Sequence, residues 1–300
     1  VVRKMTQLHQ SILSWRNYRY LAWFIVSVVA SLLVYVSQFG KPLPPSGSTW
    51  QGYVLGTFSA LLIIWLTFLG LRKRRYRSQM GTVQGWVSAH VYLGLSVPIV
   101  AFMHSAGQIE ALNIHTLTFW FMMVVIVSGF IGLYAYLHVP EHMNENIGGK
   151  NIAHWIRELS SIDRQLAETA SAINADCCSE ILSALDGTSL GGSKLVQLLG
   201  VDKSTLFSVE QGKVISNADQ AAIIRILSER IPLARDDEKL SILLNTSFSL
   251  FGSRQQMLRI IRKDMRYKSL LSIWLHLHIP FTVSLLIGLM IHVFVIFFYW

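Results

Sequence analysis

The sequence predicts an all-α fold: an integral membrane bundle of five transmembrane helices with a helical cytoplasmic insert between the fourth and the fifth. Three observations lead to this prediction. Only 14% of the 300 residues are charged and 52% are hydrophobic, whereas about a quarter of the residues in a soluble domain are charged. The mean hydropathy is positive, at +0.43. The apolar residues are grouped into long runs, and many basic residues lie beside those runs.

Five of these runs are long enough to cross a bilayer, which takes roughly 20 residues of helix. They cover residues 20–37, 53–71, 85–105, 116–137 and 271–300. The sequence therefore divides into a membrane domain with helices 1 to 4 at residues 1–139, a cytoplasmic helical insert at 140–267, and the fifth membrane helix at 268–300. The first run is longer than a typical signal-peptide core and ends without a small-x-small cleavage site, so we expect a retained anchor.

The distribution of Lys and Arg predicts the orientation. Basic residues cluster at 16–19, 72–77 and 259–268, whereas the loops 38–51 and 106–115 contain a single Lys between them. By the positive-inside rule, the N-terminus and the insert are cytoplasmic and the two sparse loops, with Pro44, lie on the other side together with Trp300. We expect a multi-pass protein of a bacterial inner membrane. The net charge of +9 then reflects topology and contact with membrane lipids, and we expect no nucleic acid partner.

The insert has no motif that indicates chemistry of its own. Apolar residues recur at helical spacing at its start, namely Ile152, Ile156, Leu159, Ile162 and Leu166. A Gly/Ser break at 187–193 separates them from further helical stretches near 219–231 and 237–266. Cys177 and Cys178 are adjacent and no CxxC occurs, which excludes a cysteine-ligated iron–sulfur cluster or a Cys-rich zinc site in this sequence. We interpret the insert as a helical docking domain; binding of lipid headgroups by its basic last stretch stays open.

Histidine spacing is the most informative feature. His90 and His104 lie fourteen residues apart on the third helix, and His278 and His292 lie fourteen apart on the fifth. Fourteen residues of α-helix rise about 21 Å and fall only about 40° short of four whole turns. Each pair therefore projects from one face of its helix at two depths. Because the third and fifth helices are predicted to run in the same direction, His90 can face His278 near the inside, and His104 can face His292 near the outside.

Paired imidazoles inside a membrane indicate haem ligation. Neutral imidazole binds haem iron strongly, and two axial histidines favour electron transfer over oxygen binding. We therefore predict two haem b groups, the inner one held by His90 and His278 and the outer one by His104 and His292. Gly94 and Gly288 each lie one turn from a histidine and are included in the predicted site, because Gly permits close approach of a flat group; simple helix packing stays open for both.

Other polar residues have subordinate predicted roles. His276 is on another face of the fifth helix from His292, so we expect it to contact a propionate or the interface. His115, His138 and His142 are expected at the membrane interface or on propionates, with a quinone site at His138 or His142 left open, and His9 and His154 are expected to be solvated. Cytoplasmic propionate partners are predicted from charge and position alone: Arg72, Lys73, Arg74, Arg75, Arg266 and Lys268.

The third helix, with WVSAHVYLGL followed by MHSAG, and the fifth, with HLHIPFTVSLLIGLMIH, resemble those of the ferric reductase-like transmembrane cytochromes b. The resemblance covers the second to fifth helices. It implies two haems between the third and fifth helices, held by two histidines on each, and these map to His90, His104, His278 and His292. That family continues into a sixth helix and a flavin- and nicotinamide-binding domain, whereas this sequence stops at Trp300 and has a longer insert.

We therefore expect the membrane subunit of an oxidoreductase complex that carries electrons across the membrane. Its partners would be a flavoprotein, an iron–sulfur protein or a c-type cytochrome, with a quinone kept open. A quinol-oxidising or quinone-reducing cytochrome b subunit shares the fourteen-residue spacing and is the first alternative. From another class, the histidines could belong to a metal or proton transporter, or to a membrane anchor whose insert is regulatory.

Overall fold

A computed structural model describes residues 12–41, 44–74, 81–109 and 113–299, and in these residues the chain is almost entirely helical. Four long helices come first: α1 (Arg19–Val36), α2 (Trp50–Arg74), α3 (Val83–Ser105) and α4 (Ile114–Asn146). They are followed by α5 (Ile152–Ala170), α6 (Ala175–Asp186), α7 (Lys194–Leu199), the strands β1 (Thr205–Ser208) and β2 (Lys213–Ser216), and α8 (Ala221–Arg230). The last element, α9 (Glu238–Tyr299), has 62 residues. Short 3-10 turns at Ala218–Gln220 and Ile231–Ala234 flank α8.

Five of the described helices are long and apolar enough to cross a membrane: α1, α2, α3, α4 and α9. Their apolar runs expose large apolar side chains, such as Leu33 and Phe297, which are 68% and 76% accessible. A water-soluble bundle would turn such side chains inward, whereas a lipid-exposed bundle presents them to acyl chains. The predicted fold class, an all-α membrane bundle with five spanning helices, is confirmed, and the protein is a multi-pass membrane protein.

The chain forms two compact units. The first comprises residues 1–133 and 276–300, and the second comprises residues 134–275. The units divide within α4 and within α9, and the predicted domain limits at 139 and 268 stay predictions. Both helices are longer than their apolar runs. α4 continues through Pro140 to Asn146. α9 begins thirty-odd residues before its apolar run, so the last helix of the insert and the fifth membrane helix are one continuous helix.

In the first unit, α1 and α2 both pack against α3. A buried cluster in its interior joins four helices: Ile63 of α2, Val97 of α3, Met122 of α4 and Leu285 of α9. α3 is capped at its start by Thr82, whose side chain accepts a hydrogen bond from the N–H of Gly85. Such a cap satisfies an otherwise unpaired backbone donor where the helix begins.

The second unit has its own apolar core, built from α5, α6, β1, α8 and the first part of α9. Leu166, Ile181, Leu227 and Phe251 are fully buried in it. The predicted amphipathic helix at the start of the insert forms as α5, with Leu159, Ile162 and Leu166 buried, although Ile156 is exposed. The sheet consists of the single antiparallel pair β1–β2, in which Phe207 lies opposite Val214.

Candidate functional site

All four predicted ligands, His90 and His104 on α3 and His278 and His292 on α9, lie in the first unit. The midpoint of each pair is marked by a buried apolar residue, Val97 on α3 and Leu285 on α9. Val97 is seven residues from both histidines of its helix, and Leu285 is seven from both of its own. Seven residues are within about 20° of two turns, so each midpoint residue shares the histidine face. The apolar cluster therefore separates two histidine levels.

At one level, the rings of His104 and His292 lie close together in an edge-to-face arrangement. Their centroids are 6.1 Å apart and their planes meet at 75°. Two imidazoles that bind one metal from opposite sides, with metal–nitrogen bonds of about 2 Å, have centroids roughly 6 Å apart. The observed separation of the two ring centroids therefore suits two imidazoles that bind one metal between them.

His104 is fixed in place by α2. Its Nδ1 lies 2.8 Å from the main-chain oxygen of Gly52. A Cβ added to Gly56, one turn further along α2, would lie 2.7 Å from Cε1 of the His104 ring. Gly47, in the turn before α2, also contacts His104, because a Cβ there would lie 3.3 Å from the His104 main-chain oxygen. The ring therefore occupies space that only glycine leaves open.

These glycines were missed in the sequence, although a signal exists. Gly52 and Gly56 form the pattern GYVLG, a small-xxx-small arrangement that lets two membrane helices approach closely. Gly52 also allows the backbone of Ser46 and Gly47 to pack closely against α2, since a Cβ at Gly52 would lie 2.5 Å from the main-chain oxygens of both residues. The pattern predicts close packing, but it does not say that the neighbour is a histidine ring.

His292 has a hydrogen-bond partner that spacing along one helix did not reveal. Its Nδ1 lies 2.6 Å from Nδ1 of His115, at the start of α4. The ring centroids of these two residues are 4.6 Å apart. His115 was expected at the interface or on a propionate; the structure gives it a specific partner in His292.

The other level holds His90 and His278, each of which has a hydrogen-bond partner on another helix. Nδ1 of His90 is 3.1 Å from the main-chain oxygen of Leu66. Nδ1 of His278 is 2.7 Å from Oγ of Ser128, and Oγ of Ser128 is itself 2.7 Å from the main-chain oxygen of Val125.

The hydrogen bonds to main-chain carbonyls determine the tautomer of two of these histidines. A carbonyl oxygen only accepts, so His90 and His104 donate from Nδ1. A neutral imidazole protonated at Nδ1 holds its lone pair on Nε2. Histidines that bind metals commonly donate their other N–H to a backbone carbonyl or a similar acceptor, which fixes the tautomer and the ring orientation. The hydrogen bonds of these histidines are therefore those expected of imidazoles that bind a metal.

The two predicted site glycines contact other helices. A Cβ on Gly288 would lie 3.0 Å from Oγ1 of Thr118 on α4, and one on Gly94 would lie 3.9 Å from Leu66 on α2. Gly94 also lies four residues before Pro98, which has no N–H to offer its carbonyl. Close helix packing accounts for Gly288 directly, and a role for either glycine beside a cofactor stays a prediction.

The remaining predicted residues are dispersed. His276 is exposed while His278 is half-buried. In the second unit, His138 stacks on Tyr134 and His142 on Tyr267, and both are exposed. Nζ of Lys150 is 3.1 Å from Nε2 of His154.

Two of the predicted propionate partners form contacts with other protein groups. Arg72 is buried and donates from its guanidinium to the main-chain oxygen of Gly81, at 2.7 Å. Lys268 is 2.7 Å from the buried carboxylate of Asp264. Lys73, Arg74 and Arg266 are exposed. His9, Arg75 and Trp300 lie outside the described residues.

Within the described ranges, no three His, Cys, Asp or Glu side chains converge as ligands for a bare metal ion. A haem iron takes only its two axial ligands from the protein, so paired histidines meet its requirement. Comparison with protein-family models, with curated proteins and with solved structures returns no match. The fold and site thus define a class, a multi-pass membrane helix bundle in which α3 and α9 carry histidines at two levels and bring His104 and His292 close together.

Proposed function

We propose that this protein is a di-haem b-type cytochrome, the membrane subunit that carries electrons across the bilayer in a redox complex. The observation that carries the proposal is that four hydrogen-bonded histidines lie at two levels on α3 and α9. Each of the four predicted ligands has Nδ1 within hydrogen-bond distance of a partner, and His104 and His292 have ring centroids 6.1 Å apart. A lone membrane histidine is explained by packing, but four with this pattern are not.

The residues have distinct roles in this proposal. His90 and His278 would hold one haem, and His104 and His292 the other, through Nε2. When bound, haem b supplies an iron that accepts and releases one electron. Leu66 and Gly52 accept hydrogen bonds from His90 and His104 and so would raise the electron density on these imidazoles. For His278 to bind through Nε2, it must donate its Nδ1–H to Ser128. For His292 to bind through Nε2, it must donate its Nδ1–H to His115, which then acts as the acceptor.

The apolar cluster between the two levels has a role as well. Val97 and Leu285 are 2% and 4% exposed, and they exclude water from the space between the histidine levels. A low-polarity interior disfavours the charged form of a cofactor site and so influences its reduction potential. The sequence resemblance to the ferric reductase-like transmembrane cytochromes b supports the same assignment, since that family uses two histidines on each of its third and fifth helices.

The membrane and partners are proposed from charge. The basic residues near α1, after α2 and in the first part of α9 favour an orientation with the N-terminus and the insert in the cytoplasm of a bacterial cell. The second unit, folded around its own core, would then be the docking domain for a flavoprotein, an iron–sulfur protein or a c-type cytochrome. A quinone as the membrane donor or acceptor belongs to the same proposal as an alternative partner.

An absorption spectrum of the purified, full-length protein tests the proposal. Protein produced in haem-replete cells should show a Soret band and, after reduction with dithionite, a b-type α band with two components. A colourless preparation would reject the haem assignment and favour the alternative class, a metal or proton transporter. A single-component α band with about one haem per chain would reject the two-level assignment.

A further inference from the structure

Helix α7 presents apolar side chains that the second unit does not cover. Leu195 and Leu199 are 62% and 72% exposed, and Val201, just after the helix, is 50% exposed. Leu195 and Leu199 are one turn apart and therefore share a face. The opposite side of the helix is engaged, since Val196, Gln197 and Leu198 are partly buried.

The helix is held against α9 from both ends and from its middle. Before α7, the main-chain oxygen of Ser189 accepts a hydrogen bond from Arg262, at 3.0 Å. After α7, Asp202 forms an ion pair with the same arginine, at 2.7 Å. Within α7, the side-chain oxygen of Gln197 accepts a hydrogen bond from Ser269, at 2.7 Å. These contacts with Arg262 and Ser269 fix the position of α7 along the axis of α9.

That position coincides with the start of the apolar run of α9. Lys268 is the last charged residue of the sequence, and from Ser269 to its end no Asp, Glu, Lys or Arg occurs. Ser269 is thus the first residue of the uncharged run. The headgroup layer on each face of a bilayer is several ångströms thick, which is comparable to the length of α7, about 9 Å for six residues.

We propose that α7 is a membrane-contact helix: Leu195, Leu199 and Val201 insert into the headgroup layer beside the point where α9 enters the bilayer. Exposed lysines flank these residues at Lys194 and Lys203, so the surface combines apolar side chains with positive charge. That combination binds anionic lipid surfaces, since the apolar groups leave water while the lysines remain near the phosphates. The occupant is lipid rather than another protein, because the uncharged run of α9 begins at the same height.

The inference needs only a membrane-embedded chain and does not depend on haem. Its test uses the full-length protein with Cys177 and Cys178 replaced by alanine and one new cysteine, Leu199→Cys, labelled with an environment-sensitive fluorophore. The protein is placed in nanodiscs of three parts phosphatidylcholine to one part phosphatidylglycerol. A second preparation contains a lipid with a nitroxide quencher near the top of its acyl chain.

Leu233→Cys is the matched control. Leu233 is also an exposed leucine of the second unit, at 83%. It lies just before the start of α9, and the helix rises about 45 Å between there and Ser269. Both substitutions replace exposed side chains, so neither disturbs the core.

The label at position 199 should be quenched several-fold more by the nitroxide lipid than the label at position 233, and its emission should be shifted to the blue. Equal, weak quenching at the two positions would overturn the inference. A blue-shifted label at position 199 without lipid quenching would also overturn it, because it would indicate that protein covers α7.

Discussion

His115 and His292 are joined through their Nδ1 atoms, 2.6 Å apart, which links the start of α4 to the end of α9. Ser128 and His278 form the equivalent link at the other level, at 2.7 Å. Each histidine level therefore has one α9 histidine whose Nδ1 contacts a side chain of α4. This symmetry allows the two levels to be perturbed separately.

The acceptors on α4 should tune the two reduction potentials independently. His115→Ala removes the acceptor for His292, which makes that imidazole a weaker donor and should raise the potential of the haem it holds. If the imidazole loses ten times more affinity for ferric than for ferrous iron, the reduction potential of a one-electron couple rises by about 59 mV. Ser128→Ala should raise the other potential in the same way. Spectroelectrochemical titration measures both potentials.

Each of the two substitutions should shift the reduction potential of a different haem. His115→Asn, which restores an acceptor near Nδ1, should recover part of the shift. If His115→Ala and Ser128→Ala moved the same potential, or moved neither while both haems remained bound, the assignment of α4 residues to separate levels would be wrong.

Gly56 should be required at the His104–His292 level. In Gly56→Ala the new Cβ would lie 2.7 Å from Cε1 and 2.8 Å from Nδ1 of His104. Overpacking of this kind typically costs about 1–3 kcal/mol, and the ring cannot move without losing its hydrogen bond to Gly52. We expect a haem content of about one per chain instead of two, measured as the pyridine haemochrome.

Gly70→Ala on the same helix is the control for Gly56→Ala. A Cβ at Gly70 meets nothing within 4 Å, so this variant should retain both haems. Full haem content in Gly56→Ala would contradict the proposed role of the glycine.

Asp202 should give the second unit an acid-sensitive contact. Burial alone would raise the pKa of this carboxyl, but hydrogen bonds from Ser204 and from the N–H of Asp219, with the Arg262 charge, lower it overall. A carboxyl whose folded pKa is below its unfolded value of about 3.9 stabilises the fold above that value and loses this contribution as the pH falls towards the folded pKa.

Hydrogen exchange in the full-length protein can detect this contribution locally. The N–H groups of Ser204 and Asp219 lie 2.9 Å and 2.7 Å from the Asp202 carboxylate. Asp202→Asn should weaken their protection at neutral pH, by about 1–3 kcal/mol if the partners are left unsatisfied. The difference from the parent should shrink below about pH 4. A difference that is constant with pH would contradict the electrostatic explanation.

Cysteine accessibility tests the proposed orientation. In protein with Cys177→Ala and Cys178→Ala, a membrane-impermeant maleimide applied to intact cells should label Ser46→Cys and not Ser193→Cys. After lysis both should react, which controls for buried sites. Labelling only at position 193 would invert the proposed orientation but leave the histidine pairing unchanged, because α3 and α9 would invert together.

Much of the fold was predictable from the sequence because the physical signals are local. A run of about twenty apolar residues has few structures available in lipid other than a helix, and the fourteen-residue spacing places two histidines on one face whatever surrounds them. The continuity of α9 was harder to predict, since the polar residues before Ser269 give no sign of whether the helix is interrupted.

The partners of the histidines could not be predicted in the same way. Each of these contacts joins two different helices: His104 to Gly52, His278 to Ser128, and His292 to His115. The periodicity of residues along one helix contains no information about which residues of a neighbouring helix it contacts. The GYVLG pattern of α2 did indicate close packing, but the helix packed against it emerged only from the three-dimensional arrangement.

The haem content of single histidine variants tests whether four histidines hold two haems in pairs. His90→Ala and His278→Ala should each lose the same haem, and His104→Ala and His292→Ala should each lose the other. Pyridine haemochrome should fall from about two haems per chain to about one in every case, with the two pairs distinguished by which α-band component disappears. His276→Ala, two residues from a ligand on an exposed position, should keep both haems. Loss of a haem in His276→Ala together with full content in His278→Ala would contradict the account.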